Sequence, residues 1–145
     1  MTGRARACRD RGSAALELVV LAPVILMLIG VVIAAGRTSS AQSAIEAAAR
    51  DAARQASIAP DYAAAQADGQ ASALAALNSD GLACNPLSVN VHAGAFLTTT
   101  AGQPGLVWAT VSCTVPLSDL WVPGLPGSRT MTATFYSPLD EFRER

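Results

Sequence analysis

The sequence contains no lysine and only one histidine, His92. A Ser-His-Asp triad needs a histidine to move the proton, and this one lies among ordinary neighbours on the polar side of a predicted strand. The sequence also lacks a phosphate loop, a dinucleotide-binding fingerprint and paired metal-ligand motifs. We therefore expect a protein that is not an enzyme and that holds neither a cofactor nor a metal ion.

Aromatic residues are also scarce, at 5% of the chain, although apolar residues reach 51%. Alanine supplies much of the apolar fraction and buries little surface, so the core is smaller than the percentage suggests. Positive charge in excess is confined to residues 1–12, which carry four arginines and one aspartate, whereas residues 37–145 carry six arginines and nine acidic residues. Without a basic patch in that longer part, nucleic acid is not an expected partner.

One long apolar run, residues 18–35, dominates what the sequence does contain. About 20 apolar residues span the hydrocarbon core of a bilayer, and these 18 lie between Arg11 and Arg37. We predict a transmembrane segment over residues 14–36. Short basic flanks resist translocation, so residues 1–12 form a cytoplasmic leader and residues 59–145 a small exported domain. The alternative is a cleaved secretory signal, since small residues follow the run.

The chain after Arg37 favours helix, because it is rich in alanine and has no glycine or proline before Pro60. Residues 13–58 are therefore predicted to form one long helix that continues outside the membrane. A thin apolar stripe at helical spacing would pack against a sheet or another helix: Ile45, Ala48, Ala49, Ala52 and Ala56. A second helix is predicted from Asp61 to about Ala76, where turn residues follow.

From Leu87 onward the apolar residues alternate with polar ones, which is typical of half-buried strands. Three strands are predicted, LSVNVHA, LVWATVSCTVPL and RTMTATFYS, with a loose hairpin loop between the first two. The longer second connection carries two apolar anchors, Leu120 and Trp121. The predicted fold class is α+β: a long N-terminal helix, a short second helix and a three-stranded antiparallel sheet, with the outer half of the long helix covering the apolar face of the sheet.

The cysteines agree with an exported domain. Cys84 and Cys113 would lie on the exported side, where disulfides persist, and Cys8 in the leader would remain a free thiol. A bridge across that separation would stabilise the domain by roughly 3 to 4 kcal/mol in the chain-entropy model. The alternative is a pair of buried thiols.

Glu17 stands immediately before the apolar run. A carboxylate near the hydrocarbon boundary is costly, and such residues tend to be paired and functional. The alternative is a glutamate that remains solvated at the depth of the lipid head groups.

Residues 11–30, RGSAALELVVLAPVILMLIG, resemble the TadE-like family, minor pseudopilins of the tight-adherence (Flp) pilus system. In that family and its type IV pilin relatives, a prepilin peptidase removes a short basic leader after a glycine, and a glutamate occupies the fifth position of the mature chain. Gly12, Ser13 and Glu17 match these positions, and Pro23 also fits the pattern. Leu18 stands where the best-described processing motif has an aromatic residue.

The resemblance implies a structural protein of the inner membrane that helps to assemble a pilus. Its expected partners are membrane lipid, the prepilin peptidase, the assembly platform, and other pilins contacted through the N-terminal helix. The new ammonium at Ser13 would pair with Glu17 of the same or a neighbouring subunit and set the axial register. Two alternatives remain: an uncleaved single-pass anchor serving envelope or secretion assembly, and a secreted protein released from its signal sequence.

Overall fold

A computed structural model describes residues 10–100, 102–118 and 127–140, with side chains from residue 16 onward. The described elements follow one another along the chain as helix, helix, strand, short helix, strand and strand: α1 (Asp10–Ile58), α2 (Tyr62–Ser79), β1 (Leu87–His92), α3 (Ala95–Thr98), β2 (Leu106–Pro116) and β3 (Ser128–Pro138). The predicted α+β class, with a long N-terminal helix, is confirmed.

The first helix, α1, runs for 49 residues without a break at Pro23, which corresponds to about 73 Å. Its predicted apolar stripe is confirmed, because all five stripe residues are at most 1% exposed. Four of the five are alanines, and their short side chains let the helix backbone approach its neighbours closely. The stripe packs against α2 and the sheet, so the outer part of α1 belongs to the core.

The second helix, α2, begins at a capped N-terminus and packs back along α1. The Asp61 side chain accepts a hydrogen bond of 2.8 Å from the backbone N–H of Ala64, which satisfies one of the free donors of the first turn. Gly69 allows close contact, since a Cβ there would lie 3.1 Å from the carbonyl oxygen of Ala52 in α1. The helix ends at Ser79, three residues beyond the predicted end, before Gly81 at φ +64°.

The sheet has the order β1-β2-β3 with antiparallel pairing throughout. The inward-facing residues of the central strand are fully buried: Val107, Ala109, Val111 and Cys113. They form the core with the stripe of α1, so the outer half of the helix covers the sheet, as the sequence predicted. The opposite face of the sheet remains uncovered by other elements in the described part of the chain.

The predicted loose loop between the first two strands is wrong in one respect, because it contains the helical turn α3. Backbone N–H groups of Phe96 and Leu97 donate to the carbonyls of Ala93 and Gly94, each at 3.0 Å. The turn directs Phe96 into the core, where it is 8% exposed. Burying this ring is the physical reason for local order in a segment that reads as a loop. Leu120 and Trp121 of the second connection, and residues 1–9 of the leader, lie outside the described residues.

Candidate functional site

The two parts of α1 have opposite environments. In the apolar half (residues 18–33), every large apolar side chain is between 46% and 71% exposed, on all sides of the helix. In the alanine half (residues 41–56), the stripe is buried against the rest of the chain. An exposed apolar surface of this extent marks a membrane or protein interaction site. The apolar half is therefore the candidate functional site.

The apolar half has the dimensions of a membrane span. Within the described residues, one helix is long and apolar enough to cross a bilayer; its most apolar window of 18 residues has a mean hydropathy of 3.1 and is 6% buried. Residues 18–35 extend about 27 Å along the helix axis, close to the ~30 Å of a hydrocarbon core. The segment fits a single-pass anchor.

Burial on one face of α1 begins at the end of this segment. Ala34 is 5% exposed, although Ile33 beside it is 50% exposed. Arg37 and the serines after it mark the change from apolar to polar sequence, and Thr38 donates a hydrogen bond of 2.9 Å to the carbonyl of Ala35. The globular part of the chain (residues 41–140) therefore begins within two turns of the apolar half.

At the opposite end of the apolar half, Glu17 is exposed and its helix continues back through Ser13 and Gly12. Residues four apart lie on the same face of a helix, and helical side chains lean toward the N-terminal turn. Ser13 and Glu17 are therefore on one face of α1. The structure places Gly12 and Ser13 side by side on one turn of this helix and Glu17 on the next turn.

The two predicted disulfide residues lie together in the globular part. Cys84 and Cys113 are joined by a disulfide, with their Cα atoms 5.1 Å apart. Beside the bridge, the N–H of Asn85 donates to the carbonyl of Thr114 at 2.9 Å, and the N–H of Thr114 donates to the carbonyl of Pro86 at 3.1 Å. The bridge ties the chain entering β1 to the central strand.

His92 belongs to an aromatic row on the open face of the sheet. Its ring stacks on Trp108 with centroids 5.0 Å apart, and Trp108 lies 5.9 Å from Tyr136. Each ring comes from a different strand, and the strand register brings them side by side. Sequence reasoning placed His92 on the polar face but missed the row, because the row depends on register. Among the described residues, no group of three histidine, cysteine or acidic side chains is arranged to hold a metal ion.

The N-terminal part of the chain is similar to a known protein family. A protein-family model described as TadE-like protein matches residues 12–54. Residues 12–54 are a TadE-like segment. The resemblance that the N-terminal motif predicted is therefore confirmed. No curated protein and no solved structure is significantly similar to the chain.

The TadE-like segment coincides with most of α1. It begins at Gly12, includes Glu17 and the whole apolar half, and ends at Arg54, after most of the buried stripe. The second helix and the sheet lie outside the match. The part of the chain that is similar to the TadE-like family is thus the helix whose N-terminal half is uncovered and whose C-terminal half packs into the globular core.

Proposed function

We propose that this chain is a minor pseudopilin that serves as a structural component in the assembly of a Flp-type, tight-adherence pilus. The observation that carries the proposal is the coincidence of the TadE-like match with a helix whose N-terminal half is apolar and uncovered on every side. Such a surface requires lipid before assembly and other helices afterwards. The TadE-like match also supports a structural role without catalysis.

In this proposal the chain crosses the inner membrane once. The basic leader, residues 1–12, remains in the cytoplasm, because short arginine-rich flanks resist translocation. The apolar half spans the bilayer, and the globular part lies outside the cytoplasm. The Cys84–Cys113 bridge supports this orientation, since disulfides persist in oxidising compartments.

Processing by a prepilin peptidase between Gly12 and Ser13 would create a new amino terminus on α1. The free ammonium of Ser13 and the carboxylate of Glu17 then have strong reason to pair, because each is costly when desolvated alone. The spacing of four residues between Ser13 and Glu17 permits this pairing within one subunit, and the exposure of Glu17 permits capture of a neighbour's terminus. A pair formed between subunits fixes how far one helix is displaced along the next.

Assembly then consists of lateral transfer of the apolar half from lipid into a bundle of pilin helices. Lipid tails are as apolar as leucine, so the transfer depends on packing and on polar pairing more than on the hydrophobic effect. Glu17 supplies the polar pairing and the surrounding aliphatic side chains supply the packing. The chain contributes shape and register, and its expected partners are other pilins, the peptidase and the assembly platform.

The test of this mechanism is substitution of Glu17. Glu17→Gln keeps the size of the side chain and removes its charge, and Glu17→Ala removes both. Both variants should enter the membrane normally, yet pili on the cell surface should be lost or much reduced when counted by electron microscopy. Glu46→Gln, at an exposed position of the alanine half, is the matched control and should assemble normally. Wild-type piliation with both Glu17 variants would remove the proposed role.

A second candidate is an uncleaved anchor that serves envelope or secretion assembly. Leu18 favours it, because this residue replaces the aromatic of the best-described processing motif. Terminal sequencing of the mature chain separates the possibilities. A start at Ser13 supports the pseudopilin, an intact or methionine-trimmed start supports the anchor, and a start near residue 37 or beyond supports a secreted protein.

A further inference from the structure

A groove of about 1040 Å³ lies at the junction of the two halves of α1. One wall is α1 itself, from Ile33 to Ala44. The connection between α2 and β1 also lines the groove, at Asp80–Ala83, and the end of β2 contributes Val115 and Pro116. The groove lies on the side of the globular part that is nearest the apolar half.

The position of the groove assigns it to the surface of the membrane, an inference that rests on the proposed membrane span. Ile33 lies near the end of the apolar run and Gly36 directly follows it, and both line the groove. Arg37 follows directly and lines it too, together with the serines of the next turn. The groove therefore reaches from the edge of the hydrocarbon core into the layer of lipid head groups.

The walls of the groove carry opposite charges. Arg37 on α1 is cationic and Asp80 at the start of the α2–β1 connection is anionic, and both residues are exposed. An arginine has five N–H donors in a planar fork that suits a phosphate, so it can hold one in addition to a contact within the chain. Asp80 accepts hydrogen bonds and suits an ammonium. Apolar surface from Ile33, Leu82 and Val115 lies beside them.

We propose that this groove binds one phospholipid whose head group carries a phosphate and a primary ammonium, a phosphatidylethanolamine. Arg37 binds the phosphate and Asp80 binds the ammonium, while the apolar surface contacts the start of an acyl chain. A choline head group offers the same charges but no N–H donor to Asp80. A glycerol head group offers no cation at all. The groove thus selects among lipids through Asp80 and holds any phospholipid through Arg37.

A lipid held in this way connects the globular part to the bilayer at a defined height. The α1 helix alone allows the chain to slide or rotate in the membrane, because its apolar half is uncovered on all sides. A head group bridging α1 and the α2–β1 connection removes that freedom. The lipid must be released when the helix leaves the bilayer, so it opposes extraction until assembly begins.

The test uses the full chain, purified in detergent from membranes, mixed with equal amounts of phosphatidylethanolamine, phosphatidylcholine and phosphatidylglycerol. Native mass spectrometry then measures which lipid remains bound. The wild type should retain phosphatidylethanolamine about tenfold better than phosphatidylcholine, the ratio expected for one charge-assisted hydrogen bond. Asp80→Asn should remove this preference, and Arg37→Gln should lower the retention of all three phospholipids.

Two matched substitutions serve as controls. Asp68→Asn on α2 and Arg54→Gln on α1 change exposed residues of the same types away from the groove, and both should bind lipid as the wild type does. Thermal unfolding of the four variants establishes that each is folded. Equal retention of the three phospholipids by the wild type, or an unchanged preference in Asp80→Asn, would overturn the proposal.

Flotation of the chain with liposomes separates this proposal from the proposed function. A chain that floats with liposomes but shows no preference among lipids overturns only the head-group site. A chain that does not float lacks the membrane span, and then both proposals fail.

Discussion

The two halves of α1 are both helical and both present apolar side chains, yet those of one half are covered by the chain itself and those of the other are not. The alanine half buries its stripe almost completely, with Ala48, Ala52 and Ala56 at 0% exposed. The apolar half exposes leucine, valine and isoleucine side chains that each contribute more apolar surface than an alanine. The small side chains of the alanine half allow close packing within the chain. The large side chains of the apolar half remain available for contact with lipid or with another helix.

Breaking the disulfide should produce the largest effect and should act on the globular part alone. The bridge closes a loop across a sequence separation of 29, so its removal lowers the free energy of unfolding by about 3.5 kcal/mol in the chain-entropy model. We expect Cys84→Ala with Cys113→Ala to lower the thermal midpoint of the globular part, measured by near-ultraviolet circular dichroism.

The apolar half provides the internal control for this experiment, because it needs no folded partner from its own chain. The double variant should still resist extraction from membranes at alkaline pH. Loss of both the globular fold and the membrane association would contradict this independence and show that the two halves depend on each other.

A charge in the apolar half should weaken membrane integration and leave the stability of the globular part unchanged. Leu26 lies near the middle of the run and is 68% exposed. An arginine at the centre of a membrane span costs about 3 kcal/mol, so Leu26→Arg should reduce membrane integration strongly, measured as the fraction of chain that resists alkaline extraction.

The control for Leu26→Arg is Leu26→Ile, which keeps the surface apolar and should integrate normally. The globular part of Leu26→Arg should unfold at the wild-type temperature. Full integration of the arginine variant would mean that lipid does not cover residue 26.

An alanine-to-leucine substitution should have different effects in the two halves of α1, smaller than the effects above. Ala52 is 0% exposed and its carbonyl lies beside Gly69 of α2, so Ala52→Leu overpacks the core and should lower the free energy of unfolding by about 2 kcal/mol. Ala22 is exposed in the apolar half, and Ala22→Leu should leave the free energy of unfolding unchanged. Chemical denaturation of the two variants measures both values; equal losses, or none, would contradict the assignment of the two halves.

Several features of this fold could be predicted because they are local in the sequence. The stripe from Ile45 to Ala56 follows from helical spacing, and the inward residues of β2 follow from strict alternation. The turn α3 could not be predicted in this way. Its segment has the composition of a loop, and only the burial of Phe96 against residues distant in the chain orders it.

The candidate site and its surroundings also combine features that are visible in the sequence with features that are not. Glu17 and the apolar run are visible in the sequence, since a charge beside an uncharged stretch needs no tertiary information. The aromatic row and the groove are not visible. The row requires the register that sets His92 opposite Trp108 and Trp108 opposite Tyr136, and the groove requires three separated segments to meet beside Arg37.

The helix, its apolar half and the family to which that segment is related follow from the sequence alone, because length, periodicity and the motif around Glu17 are properties of consecutive residues. The covered half of α1, the alignment of residues across the strands and the meeting of opposite charges in one groove follow from the tertiary fold. Those features depend on contacts between segments far apart in the chain, and a short helical or alternating pattern carries no information about its eventual neighbour.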